Sequence, residues 1–190
     1  MHWKNVCVTQ ICCNDTYKAA QRHILSMGDF MKNEQTKRNR SYAVSIVLAL
    51  AVGGISALVN AGRMDLSGQL IQPMLSPPAW LFPVVWTLLF TLMGISAARV
   101  WLSNCSERSD ALFLYGVQLT VNFLWTVFFF RFRALLLSFF WLLFLILLVV
   151  KMLRSFERCT PGAGKLQIPY LVWLCFAAYL NLALWLLNRP

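Results

Sequence analysis

Seven side chains carry whatever chemistry this sequence holds: Trp80, Val84, Asn122, Trp125, Trp173, Ala177 and Asn181. Three are indoles and two are carboxamides. Indoles offer broad stacking faces with a single N–H donor, and carboxamides donate and accept together. Trp80 and Val84 share a helical face. Asn122 and Trp125 share another with Gln118 and Phe129, and Trp173, Ala177 and Asn181 share a third with Tyr170 and Leu184. Together they would recognise a large, flat, mostly apolar molecule by stacking and a few polar contacts. The plainer alternative stays open. Gln118 and Asn122 could simply bond neighbouring helices, at about 0.6 kcal/mol each, and Trp173 and Asn181 could be packing and a helix–helix bond.

The chemistry that is missing narrows the class. The acids are Asp15, Asp29, Glu34, Asp65, Glu107, Asp110 and Glu157, and none falls in an apolar run. That leaves no intramembrane carboxylate for proton coupling and no carboxylate pair for acid–base work. His2 and His23 stand near the N-terminus, so the apolar body holds no imidazole. Cys7, Cys12, Cys13, Cys105, Cys159 and Cys175 form no C-x-x-C pair and indicate neither a zinc site nor a disulfide framework. No phosphate-binding or dinucleotide fingerprint occurs. The expectation is a binding protein rather than an enzyme, with no catalytic residue, no metal and no obligatory cofactor.

These side chains must be positioned by membrane helices. The chain is 59% hydrophobic and 13% charged, with mean hydropathy +0.62, too apolar for a soluble domain. Five runs approach or exceed the length that spans a bilayer core, about 20 residues. They cover about 42–61, 78–102, 111–130, 134–152 and 167–187. The expected fold is therefore all-α, a polytopic five-transmembrane-helix bundle over residues 41–190. In the first run Ser45, Ala49, Gly53, Ala57 and Ala61 recur every fourth position, a small-residue stripe that admits a close neighbour. The second starts at Pro77-Pro78, where a proline fits the first helical position. The fourth is almost pure Leu and Phe, and is expected to meet lipid widely.

Residues 1–40 read as a polar, basic N-terminal tail, disordered and separate from the membrane domain. Met27 and Met31 are alternative starts. The net charge of +10 is a topology signal rather than a nucleic-acid footprint, because the basic residues sit between the apolar runs. With the N-terminus inside, ten Lys and Arg (Lys32, Lys37, Arg38, Arg40, Arg99, Arg108, Lys151, Arg154, Arg158 and Lys165) lie on the inner side. Four (Arg63, Arg131, Arg133 and Arg189) lie outside. An N-in, C-out chain follows.

Three motifs carry a resemblance. Pro77-Pro78-Ala79-Trp80-Leu81-Phe82-Pro83-Val84-Val85-Trp86-Thr87, continuing through Leu92-Met93-Gly94-Ile95, resembles the second helix of the tryptophan-rich sensory protein / translocator protein family, also called the peripheral-type benzodiazepine receptor family. Asn122-Phe123-Leu124-Trp125 with Phe129-Phe130 resembles its third helix. Pro169-Tyr170-Leu171-Val172-Trp173 with Phe176-Ala177 and Asn181 resembles its fifth. The resemblance covers about residues 42–188 in the family's order.

It implies a five-helix bundle, often a homodimer, that binds tetrapyrroles of the protoporphyrin IX or haem type in a pocket under the first loop. Members act as sensors, carriers or regulators of porphyrin levels. Trp80 and Trp173 would flank the ligand, Asn122 would contact it, Trp125 would line the wall and Ala177 would give it room. Some bacterial members are reported to break porphyrins down in light, the enzymatic alternative; a sterol or lipid transporter, or a membrane scaffold, is another. Three departures stand out. Leu66-Ser67 occupies the place of a frequent Trp-Tyr pair, Gln72 stands before the loop proline where bacterial members often have Lys or Arg, and Leu182 and Leu186 replace the Tyr and Arg of the animal sterol motif. Cholesterol is therefore a poor fit, and a bacterial-type member in the cell membrane is the reading.

Overall fold

The computed structural model describes the backbone of residues 3–63 and 70–189, and the side chains of that set from Ser26 onward. The chain divides at Arg40/Ser41 into two compact units. Helix α1 runs from Trp3 to Val59, so residues expected as a tail without fold are helical here. No proline precedes Pro73, and Gly28 is the lone glycine before Gly53. Nothing in that stretch forces a break.

The other helices belong to the second unit. They are α2 (Leu81–Trp101), α3 (Arg108–Thr126, continued by a widened π turn over Val127–Arg131), α4 (Leu135–Cys159) and α5 (Ile168–Asn188), the last entered through a 3-10 turn at Lys165–Gln167. Among the described residues five helical stretches are long and apolar enough to cross a membrane: Ser26–Val59, Leu81–Trp101, Arg108–Arg131, Leu135–Cys159 and Lys165–Asn188. Helix α2 begins three residues after Pro78. Pro78 to Trp80 instead form a turn closed by the Leu81 N–H on the Pro78 carbonyl. Pro83 then falls in the first helical turn, where its missing donor costs nothing.

The small-residue stripe of α1 meets α2. A Cβ on Gly94 would stand 2.5 Å from the Ile46 Cα, and one on Gly53 would strike the Phe90 ring. Backbones can approach this closely only where a side chain is absent. Ser56 and Thr126 hydroxyls lie 2.7 Å apart, and the Asn60 amide donates to Thr126 at 3.0 Å. These bonds fix the end of α1 to the end of α3.

Helix α4 is not all lipid-facing. Leu142, Leu145, Val149, Met152 and Phe156 are fully buried at heptad-like spacing, while Phe140, Phe144 and Leu147 point outward. A helix with no polar face can still have a buried one, since packing in a membrane follows shape rather than polarity. The Trp141 Nε1 donates to the Val121 carbonyl at 2.9 Å, joining α4 to α3.

One cysteine expectation is corrected. Cys105, before α3, and Cys159, at the end of α4, are disulfide-bonded across a sequence separation of 54. No local motif marks a pair so far apart; the antiparallel packing of α3 on α4 brings the two ends together. Arg158 pairs with Glu107 beside it at 3.3 Å. At the same end the Glu157 carboxylate accepts the N–H groups of Gly162 and Gly164. Ser96 donates to the Ala163 carbonyl at 2.6 Å, holding the α4–α5 turn against α2.

Candidate ligand site among the helices

The aromatic centre of the bundle is Trp86, on α2. Its ring lies 6.4 Å from Trp125 of α3, 6.3 Å from Tyr170 of α5 and 5.5 Å from Phe90. Trp125 in turn stacks on Phe129 at 5.5 Å and meets Phe130 edge-on. The π turn that follows α3 presents both phenylalanines to the same indole, and such widened turns recur at functional sites.

The polar groups around this wall divide into two kinds. Gln118 is satisfied: its Oε1 accepts the Tyr170 hydroxyl at 3.0 Å, and its amide faces the Met93 sulfur at 4.0 Å. Of the two readings of Gln118, the interhelical bond is the one found. Asn122, one turn further along α3, is 2% exposed and its Oδ1 has no partner. Trp125 Nε1 and both amide atoms of Asn181 are likewise buried and unpartnered. The helix–helix bond considered for Asn181 is absent. A buried polar atom with no partner costs about 1–3 kcal/mol in proteins and more in hydrocarbon. Asn60, Tyr115, Ser138 and Gln167 carry such atoms elsewhere among the described residues, and Asn122, Trp125 and Asn181 carry them on the two helices that bear Trp125 and Tyr170.

Not every sequence candidate joins this wall. Trp173 meets Phe82 edge-on at 5.9 Å and Phe176 at 5.6 Å, linking α5 to the start of α2. Ala177 is half-buried, one turn on. Trp80 is 65% exposed and Val84 49%, and among the described residues no ring pair includes Trp80. The face they head is rotated. Its inner members Gly94 and Ala98 are buried, with Gly94 against α1, while the stripe that enters the core is Trp86, Phe90, Met93 and Ala97. That stripe has helical spacing in the sequence, but the proline motif points to Trp80 instead. Leu66 and Ser67 lie outside the described residues. Two surface clefts lie elsewhere, one on α3 around Gly116 and Thr120 and one at the start of α4.

The side-chain types gathered here, indole faces and carboxamides, are those that stack on a planar ring system and hydrogen-bond its edge, but the rings pack on one another and neither cleft opens between them. Among the described residues no group of His, Cys, Asp or Glu could hold a metal ion.

The TspO/MBR family profile matches residues 44–186. The "Tryptophan-rich protein TspO" of Chlorobaculum tepidum is 37% identical over 157 residues, covering 80% of this chain and 98% of that one. The "Protein CrtK" of Rhodobacter capsulatus is 35% identical over 157 residues, covering 77% and 92%. The "Translocator protein" of Ovis aries is 32% identical over 152 residues, covering 77% and 90%.

Proposed function

The chain belongs to the TspO/MBR family and is an integral, multi-pass membrane protein, and from that premise we propose that it binds tetrapyrroles between its helices, as a sensor, carrier or regulator of porphyrin levels. The observation that carries the proposal is the set of buried, unpartnered polar atoms on Asn122, Trp125 and Asn181, on the same two helices that bring Trp125 and Tyr170 to Trp86. Indole faces suit a macrocycle's π surface, and the orphan amides suit its polar edge. Trp173 with Phe82 forms a second edge on α5 and α2, and in this reading Trp80 and Val84, both exposed, border the entrance. Ala177 leaves room beside Trp173. The bilayer is the other partner.

The test is a protoporphyrin IX titration of detergent-purified protein, read by quenching of tryptophan fluorescence. Replacing both amides (Asn122→Leu with Asn181→Leu) should weaken binding roughly thirtyfold, since two hydrogen bonds at about 1 kcal/mol each are lost. The fold should survive, because apolar groups of like shape replace orphaned ones. Affinity unchanged in that variant sinks the amide assignment. Unchanged affinity in Trp80→Ala with Trp173→Ala removes those indoles from the site. Failure of haem, protoporphyrin and coproporphyrin to saturate the wild type would favour a scaffold, and saturation by sterol alone a lipid carrier. Bleaching of bound porphyrin that needs both light and Trp80 would favour turnover.

A further inference from the structure

A cleft of about 390 Å³ opens where α4 begins and α5 ends, lined by Arg133, Leu135, Leu136, Leu137, Trp185 and Arg189 among others. We propose that it holds an anionic phospholipid, with the phosphate between the Arg133 and Arg189 guanidinium groups and an acyl chain along the leucines. Four observations meet there. Neither arginine has a carboxylate partner among the described residues, whose ion pairs are Lys37–Glu34 and Arg158–Glu107. Arg133 sits at φ 53°, the described non-glycine residue with positive φ. A side-chain-bearing residue is unfavourable there, yet this chain keeps an arginine in the tight α3–α4 turn. Arg189 lies over the Trp185 ring at 5.9 Å, an arrangement suited to the membrane–water boundary. Leu136 and Leu137 are exposed beside them, giving an apolar wall directly below a positive rim.

The neighbouring polar groups do not compete. Asn188 spends its amide on Ile71 and Leu184. Arg63 and Arg131, toward the same end, are turned to the carbonyls of Arg131 and Val59. Helix α4 starts without a side-chain cap, so its first amides add positive potential to the rim the arginines already define. A free anion would use the two charges and leave the leucine wall idle, whereas a phospholipid uses both.

Native mass spectrometry of the full chain, released from detergent with equimolar phosphatidylglycerol and phosphatidylcholine, reads the site directly. The wild type should retain phosphatidylglycerol in preference. Arg189→Gln should weaken that adduct roughly fivefold, and Arg133→Gly by a similar factor, as about one surface charge is lost in each. Arg63→Gln should leave it unchanged. Glycine accepts the φ of residue 133 without strain, so the Arg133→Gly protein should melt no lower than the wild type, and a lost adduct there reports lost charge rather than unfolding. Equal retention of both lipids, or wild-type retention in the Arg133→Gly, Arg189→Gln double variant, overturns the proposal. So does full displacement by millimolar inorganic phosphate, which would assign the cleft to a soluble anion, or by protoporphyrin, which would make it a tetrapyrrole contact.

Discussion

The Tyr170 hydroxyl donates to Gln118 Oε1 across 3.0 Å, a bond between α5 and α3 in which both side chains are almost wholly buried. It pins the two helices that carry Asn122, Trp125 and Asn181. Burial among the helices removes water as an alternative partner for either group, so the bond is worth more broken than made.

Tyr170→Phe therefore isolates it. The ring stays against Trp86 and the Gln118 oxygen is orphaned. The thermal midpoint in detergent should fall by the equivalent of about 1–3 kcal/mol. Adding Gln118→Leu should restore most of the loss, because the orphan goes with it. A double variant no more stable than Tyr170→Phe would show that the bond is incidental.

The α1–α2 contact makes a second prediction. Gly94→Val places new atoms onto the Ile46 backbone, which has no flexible side chain to move. Such overpacking costs about 1–3 kcal/mol or more. Gly54→Val, with nothing within 4 Å of its Cβ, should leave the melting temperature nearly unchanged, as should a conservative exchange on the lipid face of α4. Equal effects at residues 54 and 94 would contradict the close approach.

The cysteines give a third. Cys105 and Cys159 are bonded and Cys175 is free and exposed. In detergent, a small maleimide should reach Cys105 and Cys159 only after reduction, as peptide mapping would resolve, while Cys175, midway along a membrane span, stays covered by detergent on its exposed side. Labelling of Cys105 without reductant would refute the pairing.

The sequence makes the helix count and the motif order plain because hydropathy and proline placement are local properties, written residue by residue. The rotation of α2 is different. Nearly every residue from Leu81 to Leu92 is apolar, so polarity cannot say which side faces inward. Shape decides it: Gly94 admits α1, and that turns Trp86 rather than Trp80 into the core. The disulfide escaped for a related reason. Its partners are 54 positions apart, and only the pairing of helices makes them neighbours. Asn122, Trp125 and Asn181 stand out in the sequence because an amide or an indole in a greasy run needs a reason, and each is buried with at least one unpartnered polar atom.

Asn188, the last residue of α5, clasps both backbone groups of Ile71, 117 positions upstream. The end of α5 is thus a fastener for the segment that leads to Trp80. Asn188→Ala would unclasp that segment while leaving every residue of the bundle's interior intact.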